Sequence, residues 1–300
     1  MDEEVPPALA GERLDRVVAF ATGLSRSEVD RLLAAGSVRL DGRTATARSS
    51  RVSAGQRLEV DVPEPTVPGV DPDPSVSFAV VHEDDHVIVV DKPADLVVHP
   101  GAGHRSGTLV NGLVARYPGI AVVGDPDRPG LVHRLDRGTS GLLVAALTPE
   151  AHAVLAADMA ARRVRRRYTA LVEGEVADDA GVVDAPVGRS TRHPTRMTVS
   201  TAGRSARTRY RVTGRYRDPR PLTLLECELE TGRTHQIRVH LAAIGHPVTG
   251  DTRYGGRGDL LDRPFLHASS LAFTHPVTAQ AVELVSALPE DLRRVLGSLS

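Results

Sequence analysis

Three hundred residues with a mass of 32.0 kDa, 41% hydrophobic and 25% charged, hold enough apolar material for one large domain and a small one. No stretch approaches the roughly 18 uncharged apolar residues of a membrane helix, and the acidic start MDEEVPPALAGERLD is unlike a signal peptide, so a cytoplasmic protein is expected. The net charge is -1, yet residues 151–220 carry 15 basic against 7 acidic groups, either a face for a polyanion or a solvated surface, and the single cysteine, Cys227, excludes a disulfide framework and thiolate-rich metal sites.

In chain order, Leu14, Val17, Val18 and Ala21 fall at helical spacing, and Ser25-Arg26-Ser27-Glu28 has the form of a capping box that opens a second helix through Val29, Leu32 and Leu33, ending at Gly36. A VRL strand, an Asp41-Gly42 turn and the alternating run Leu58, Val60, Val62 predict a hairpin. Helix, helix and hairpin, dotted with arginines, resemble the S4-like RNA-binding module. That resemblance makes residues 1–62 a domain with Arg26, Arg31 and Arg43 as candidate phosphate contacts. Residues 63–78 hold five prolines and no basic group and predict a stiff, extended linker.

From 79 onward, short β runs (Ala79 to Val81, Val87 to Val90, Gly141 to Ala146, Tyr168 to Val172, Thr223 to Glu230, Ala281 to Val285) alternate with fewer helices at 107–116, 149–161 and 234–243. The pattern predicts an α+β domain, 79–300, around an extended mixed, largely antiparallel sheet.

Four stretches could carry chemistry. The glycine-rich piece His99 to Asn111 lacks the endings of a P-loop or a dinucleotide fold, so no nucleotide cofactor is expected. In GLVHRLDRGTSGLLVAA, 130–146, a polar cluster sits between two apolar runs, as a tight loop on the edge of buried strands would. Asp136 there lies between Arg134 and Arg137. A guanidinium beside a partly buried carboxylate favours its charged form, which could serve as nucleophile or base; alternatively, the pair merely closes a turn.

The run Arg162 to Val172 leads five arginines, Arg166 and Arg167 among them, into a strand starting at Tyr168. Cation plus ring is how a site holds an unstacked base, and a core aromatic is the other reading. In ETGRTHQIRVHLAAIGHPVTGD, 230–251, Ile237, Leu241 and Ile244 would form one apolar helix face, with Arg233 at the helix mouth where it can meet a carboxylate or phosphate. His235 and His240, five apart and without an HExxH glutamate, predict no metal site and read as neutral, hydrogen-bonded side chains. Cys227, in LLECELE, reads as a buried strand residue.

HRLDRGTSGLLVAA, RRYTALVEG, GRTHQIRVHLAAIGHPVTGD with the following RYG, and LHASSLAFTHP, in that order, resemble the motifs of pseudouridine synthases of the RluA type. The VHPGAGHRSGTLVNGL stretch and the S4-like module are similar to the branch acting on large-subunit ribosomal RNA. The resemblance implies an isomerase that converts uridine to pseudouridine on a flipped-out nucleotide, without cofactor or metal. Its partner would be ribosomal RNA or a large-subunit precursor, with no membrane, and the enzyme would be a monomer. By the same resemblance Asp136 is the catalytic carboxylate, attacking the sugar or removing a ribose proton. Arg233 pairs with it, Tyr168 stacks on the base and helps the C5 proton leave, Arg134 fills the vacated space, and Ile237 walls the pocket.

Three features depart from the pattern. Gly112 stands where alanine or a similar residue is usual, the basic position before Tyr168 is Arg, and Thr249, where an aliphatic residue is expected, would loosen the packing behind the third motif. A noncatalytic RNA-binding factor would have no use for an intact HRLD loop with Arg233. A glycoside hydrolase would need two acids and aromatic sugar platforms, and this chain has no tryptophan.

Overall fold

Leu14, Val17 and Val18 bury one side of a first helix, and Val29, Leu32 and Leu33 bury the facing side of a second, around a core closed by Val38, Leu58 and Val60. In the computed structural model this core belongs to the smaller of two units, Met1–Pro68, the larger being Gly69–Ser300. Residues 1–24, 26–45, 47–61, 69–101, 104 and 106–300 are described, residues 26–28 and 31 by backbone alone.

The smaller unit runs β1 (Asp2–Glu4), α1 (Leu14–Thr22), α2 (Arg26–Ala34), β2 (Val38–Leu40), β3 (Arg43–Thr44) and β4 (Arg57–Val60), with sheet order β1-β4-β2-β3. Gly36 takes the left-handed conformation past α2 (φ 73°), and Ser37 donates its N–H back to the Leu32 carbonyl at 3.0 Å, which closes the helix. Asp41 and Gly42, at φ 52° and 76°, turn β2 into β3 as the two-residue hairpin signal predicts. The N-terminal strand β1 adds an edge that its three exposed acidic residues did not advertise. The expected capping box at Ser25 and Glu28, and Val62, lie outside the described residues or side chains.

The larger unit continues with β5 (Ala79–Glu83), β6 (Val87–Lys92), α3 (Leu109–Arg116), β7 (Ser140–Ala146), α4 (Pro149–Ala160), β8 (Arg165–Glu173), β9 (Ala180–Asp184), β10 (Val187–Arg189), β11 (Met197–Val199), β12 (Arg207–Tyr216), β13 (Leu222–Leu229), α5 (Gln236–Ala243), β14 (Leu266–Thr274), β15 (Ala281–Val285) and α6 (Glu290–Gly297). Nine of these strands form one mixed sheet in the order β5-β6-β7-β14-β8-β13-β12-β9, with β15 on β14. Its pairs are antiparallel apart from β7 with β14. All seven residues of β7 are buried, as a strand covered on both faces requires.

Of the expected linker, residues 69–78 lie with the larger unit. The Asn111 side chain donates to the Asp71 carbonyl at 2.7 Å, Asp73 donates its N–H to the Asn111 carbonyl at 3.0 Å, and Val70 and Phe78 pack on the main core. The same packing explains Gly112. A Cβ there would stand 3.0 Å from both Val76 and Phe78, so the alanine usual at this position would crowd the segment. Residues 63–68 lie outside the described residues. No helix among the described residues is long and apolar enough to cross a membrane.

Candidate active site

The loop before β7 is fixed from three sides. Gly138 donates its N–H to the Ala94 carbonyl at 2.7 Å, Arg263 donates to the Gly138 carbonyl at 3.0 Å, and His133 Nε2 accepts the Val144 N–H at 3.1 Å. Burial pushes the His133 imidazole down to about 3, so the ring is neutral and its Nε2 is free to accept. Gly141, at φ 109°, lets β7 approach β14: a Cβ would come within 2.3 Å of the Ala268 carbonyl oxygen. This scaffold holds Asp136, its side chain 14% exposed, in a cleft of about 580 Å³ lined also by Arg134, Arg166, Tyr168, Arg233, Ile237 and Arg238.

Strand β8 contributes by its period of two. Arg166 and Tyr168 are buried on one face, while Arg167 between them lies on the other, 3.7 Å from Glu228, and does not line the cleft. Burial raises the Tyr168 phenol, and the Asp136 charge adds to the rise, so the hydroxyl stays protonated at neutral pH. Arg134, exposed at the cleft wall, has Nη1 3.3 Å from His99 Nε2, and His99 is pushed down to about 4 by burial and by the charge of Arg134.

The guanidinium that meets Asp136 is not the expected one. Arg238 Nη1 lies 3.5 Å from Asp136 Oδ2, and Asp251 grips the rest of the same group, with Nε to Oδ2 at 2.6 Å and Nη2 to Oδ1 at 2.8 Å. The Tyr254 ring lies under it, 5.0 Å from its central carbon. Burial pulls the Arg238 pKa down, but Asp251 and Asp136 outweigh it and hold the group charged.

Arg233 makes no ion pair with Asp136. Its Nε donates to the Ser205 carbonyl at 3.1 Å. The reason is local. His235 adopts a left-handed conformation (φ 58°), so α5 starts at Gln236, two residues later than the apolar spacing predicts. The buried Gln236 side chain then holds the turn, accepting from Thr231 and the Arg233 N–H at 2.8 and 3.0 Å and donating to the Arg207 carbonyl and the Thr208 hydroxyl, both at 3.0 Å. Helix α5 is enclosed rather than one-sided: Gln236 through Leu241 are all buried, whereas Ile244, expected on the apolar face, is 38% exposed.

His240 has both ring nitrogens occupied, by the Thr208 hydroxyl and the Ala185 carbonyl, each at 2.9 Å, and His235 Nδ1 lies 2.7 Å from the Tyr254 hydroxyl. Among the described residues no group of three His, Cys, Asp or Glu is placed to share a metal ion. Cys227 is fully buried in β13, its thiol pushed up to about 12 by burial. Thr249 is buried with its hydroxyl unpartnered among the described residues, the cost of a polar group where an aliphatic one was expected. In the smaller unit Arg43 is exposed; the side chains of Arg26 and Arg31 lie outside the description.

The profile of the family described as RNA pseudouridylate synthase matches residues 86–243, and that of the S4 domain matches residues 12–58. The chain is 42% identical to the ribosomal large subunit pseudouridine synthase D of Xanthomonas campestris pv. campestris, over 98% of this chain and 91% of that protein. It is 46% identical to an uncharacterized RNA pseudouridine synthase of Chloroflexus aurantiacus, over 98% and 92%. The solved structure of human RNA pseudouridylate synthase domain containing 1 is similar with a TM-score of 0.61 and 28% identity, over 77% of this chain and 91% of that one.

Proposed function

The chain belongs to the RNA pseudouridylate synthase family, isomerases that act on RNA, and from that premise we propose that it converts uridine to pseudouridine in large-subunit ribosomal RNA with Asp136 as the catalytic carboxylate. One observation carries the assignment of the carboxylate: a largely enclosed Asp136 lies in the cleft beside Tyr168, aimed by an arginine that a second, buried carboxylate holds in place.

The target uridine leaves its helix and enters this cleft, Arg134 takes the vacated space, and Ile237 and Tyr168 bracket the uracil. Asp136 opens the reaction by attacking C1′ or by removing the C2′ proton. In either course the C1′–N1 bond breaks and its electron pair leaves with the uracil ring. The ring turns, C5 bonds to C1′, and the carboxylate is released or the C2′ proton returned. The C5 proton then departs and N1 gains one, so product and substrate have the same atoms and oxidation state. Because burial disfavours a Tyr168 phenolate, this residue helps the C5 proton leave as a relay, handing on its own proton as it takes the other. Arg238, rather than Arg233, pairs with Asp136 and aims it.

Residues 1–62, with Arg26, Arg31 and Arg43, supply affinity for ribosomal RNA or a large-subunit precursor, and residues 79–300 the chemistry. Arg167 adds a contact outside the cleft. The protein works as a monomer in the cytoplasm. Carbodiimide mapping of ribosomal RNA incubated with the full chain tests this reading. New pseudouridine in the large-subunit RNA is expected. Binding in a gel shift with no conversion would leave only an RNA-binding protein.

A further inference from the structure

Six arginines line the cleft, and three of them have a carboxylate partner. Arg128 pairs with Asp125 at 2.5 Å, Arg162 with Glu230 at 3.2 Å, and Arg238 with Asp136 and Asp251. The other three meet only neutral groups among the described residues: Arg134 faces His99, Arg233 donates to a backbone carbonyl, and Arg166 has no hydrogen-bonding or ionic partner.

Arg166 is the most demanding of the three. It is 5% exposed, its Nε is buried without a partner, and burial pushes its pKa down. An unpaired guanidinium withdrawn from water is costly unless an anion answers it. The chain also makes room for it: a Cβ on Gly232 would stand 2.8 Å from Arg166 Nη1, so the glycine lets this guanidinium lie against the backbone next to Arg233. Arg233 is itself pushed down by burial and by the positive charges of Arg204 and Arg162. Two cations are thus gathered at one turn, neither of them ion-paired among the described residues. On β8, Arg166 precedes Tyr168 by two residues on the same face, which places it about 7 Å along the strand from the residue proposed to stack on the uracil. One nucleotide has about that reach from its base to its backbone.

We propose that Arg166 and Arg233 clamp a phosphodiester adjoining the flipped uridine, so that the cleft grips the target's own backbone as well as its base. The inference rests on the reading of the cleft as a uridine-isomerising site. Phosphodiesters are the anions that an RNA substrate offers, and planar guanidinium forks suit their oxygens. The clamp makes the cleft a site for a nucleotide within a chain and disfavours a free nucleoside.

The test uses the full chain and a stem-loop that the wild type converts; if the wild type converts no uridine in any RNA, the underlying reading fails first and visibly. A single neutral methylphosphonate is placed 5′ or 3′ of the target. At one of the two positions it should lower wild-type kcat/KM by about ten- to a hundredfold, mostly through KM. Arg166→Gln should show the same loss on unmodified RNA and lose no more than about twofold further on the methylphosphonate, the signature of two partners in one contact. Arg166→Lys should recover only part, since a compact ammonium makes no fork. Arg233→Gln should show the same coupling and serves if Arg166→Gln does not fold. Losses that multiply independently at both positions would overturn the clamp. So would competition by inorganic phosphate in the absence of any methylphosphonate effect, which would assign the cations to a free anion.

Discussion

Nη1 of Arg238 lies 3.5 Å from Oδ2 of Asp136, and both oxygens of Asp251 hold the opposite side of the same guanidinium. Asp251 is 1% exposed and Arg238 7%, so this arm of the network is nearly dry, while Asp136 keeps one side open to the cleft. Such an arrangement fixes the direction of the Asp136 carboxylate through a residue that need not touch substrate.

Arg238→Gln should therefore act on turnover. We expect kcat to fall roughly 10- to 100-fold with KM within about threefold, whereas Arg233→Gln should move mainly KM. Losing Arg238 also strands Asp251, at a cost of about 3–5 kcal/mol for a broken buried pair. Steady-state kinetics and urea unfolding of both variants check the contrast, and equal effects on KM would contradict it.

His133 makes stability depend on pH. Its folded value is pushed from 6.5 down to about 3, so between those values the unfolded chain binds a proton that the folded chain does not. Stability then rises with pH across this window and is lost on acidification from about pH 6.5, by up to ~1.4 kcal/mol per pH unit. His99, lowered to about 4, adds a parallel loss over the upper part of the window. His133→Gln should flatten the slope by up to one proton, as measured by urea unfolding between pH 4 and 7.

Thr249 buries a hydroxyl without a partner among the described residues. Thr249→Val keeps the shape and removes the orphaned group, so the protein should gain about 1 kcal/mol of stability, read as a higher unfolding midpoint with an unchanged denaturant slope. A lower midpoint would mean that the hydroxyl is satisfied in solution.

Much of this site could be read from local pattern. A polar loop between two apolar runs placed Asp136 on a strand edge, and alternation along β8 puts Tyr168 inside. The identity of its cationic partner could not be read this way, because it depends on where α5 begins and which way its side chains turn. The sequence pattern singles out Arg233 at the helix mouth and passes over Arg238, inside the helical run. The left-handed His235 and the Gln236 clasp send the first toward Ser205, and Asp251, thirteen residues beyond Arg238, captures the second. The apolar spacing of α5 misled for a related reason: a helix enclosed on all sides carries polar residues at buried positions whenever they have partners.

Asp136→Asn tests the central claim most directly. The change keeps the size of the side chain but replaces the carboxylate with an amide, in a residue that lines the cleft. Pseudouridine formation on a stem-loop should fall roughly a thousandfold or more, while RNA affinity, which resides mainly in phosphate contacts, stays within about threefold. An Asp136→Asn variant that still isomerises uridine near the wild-type rate would contradict the account.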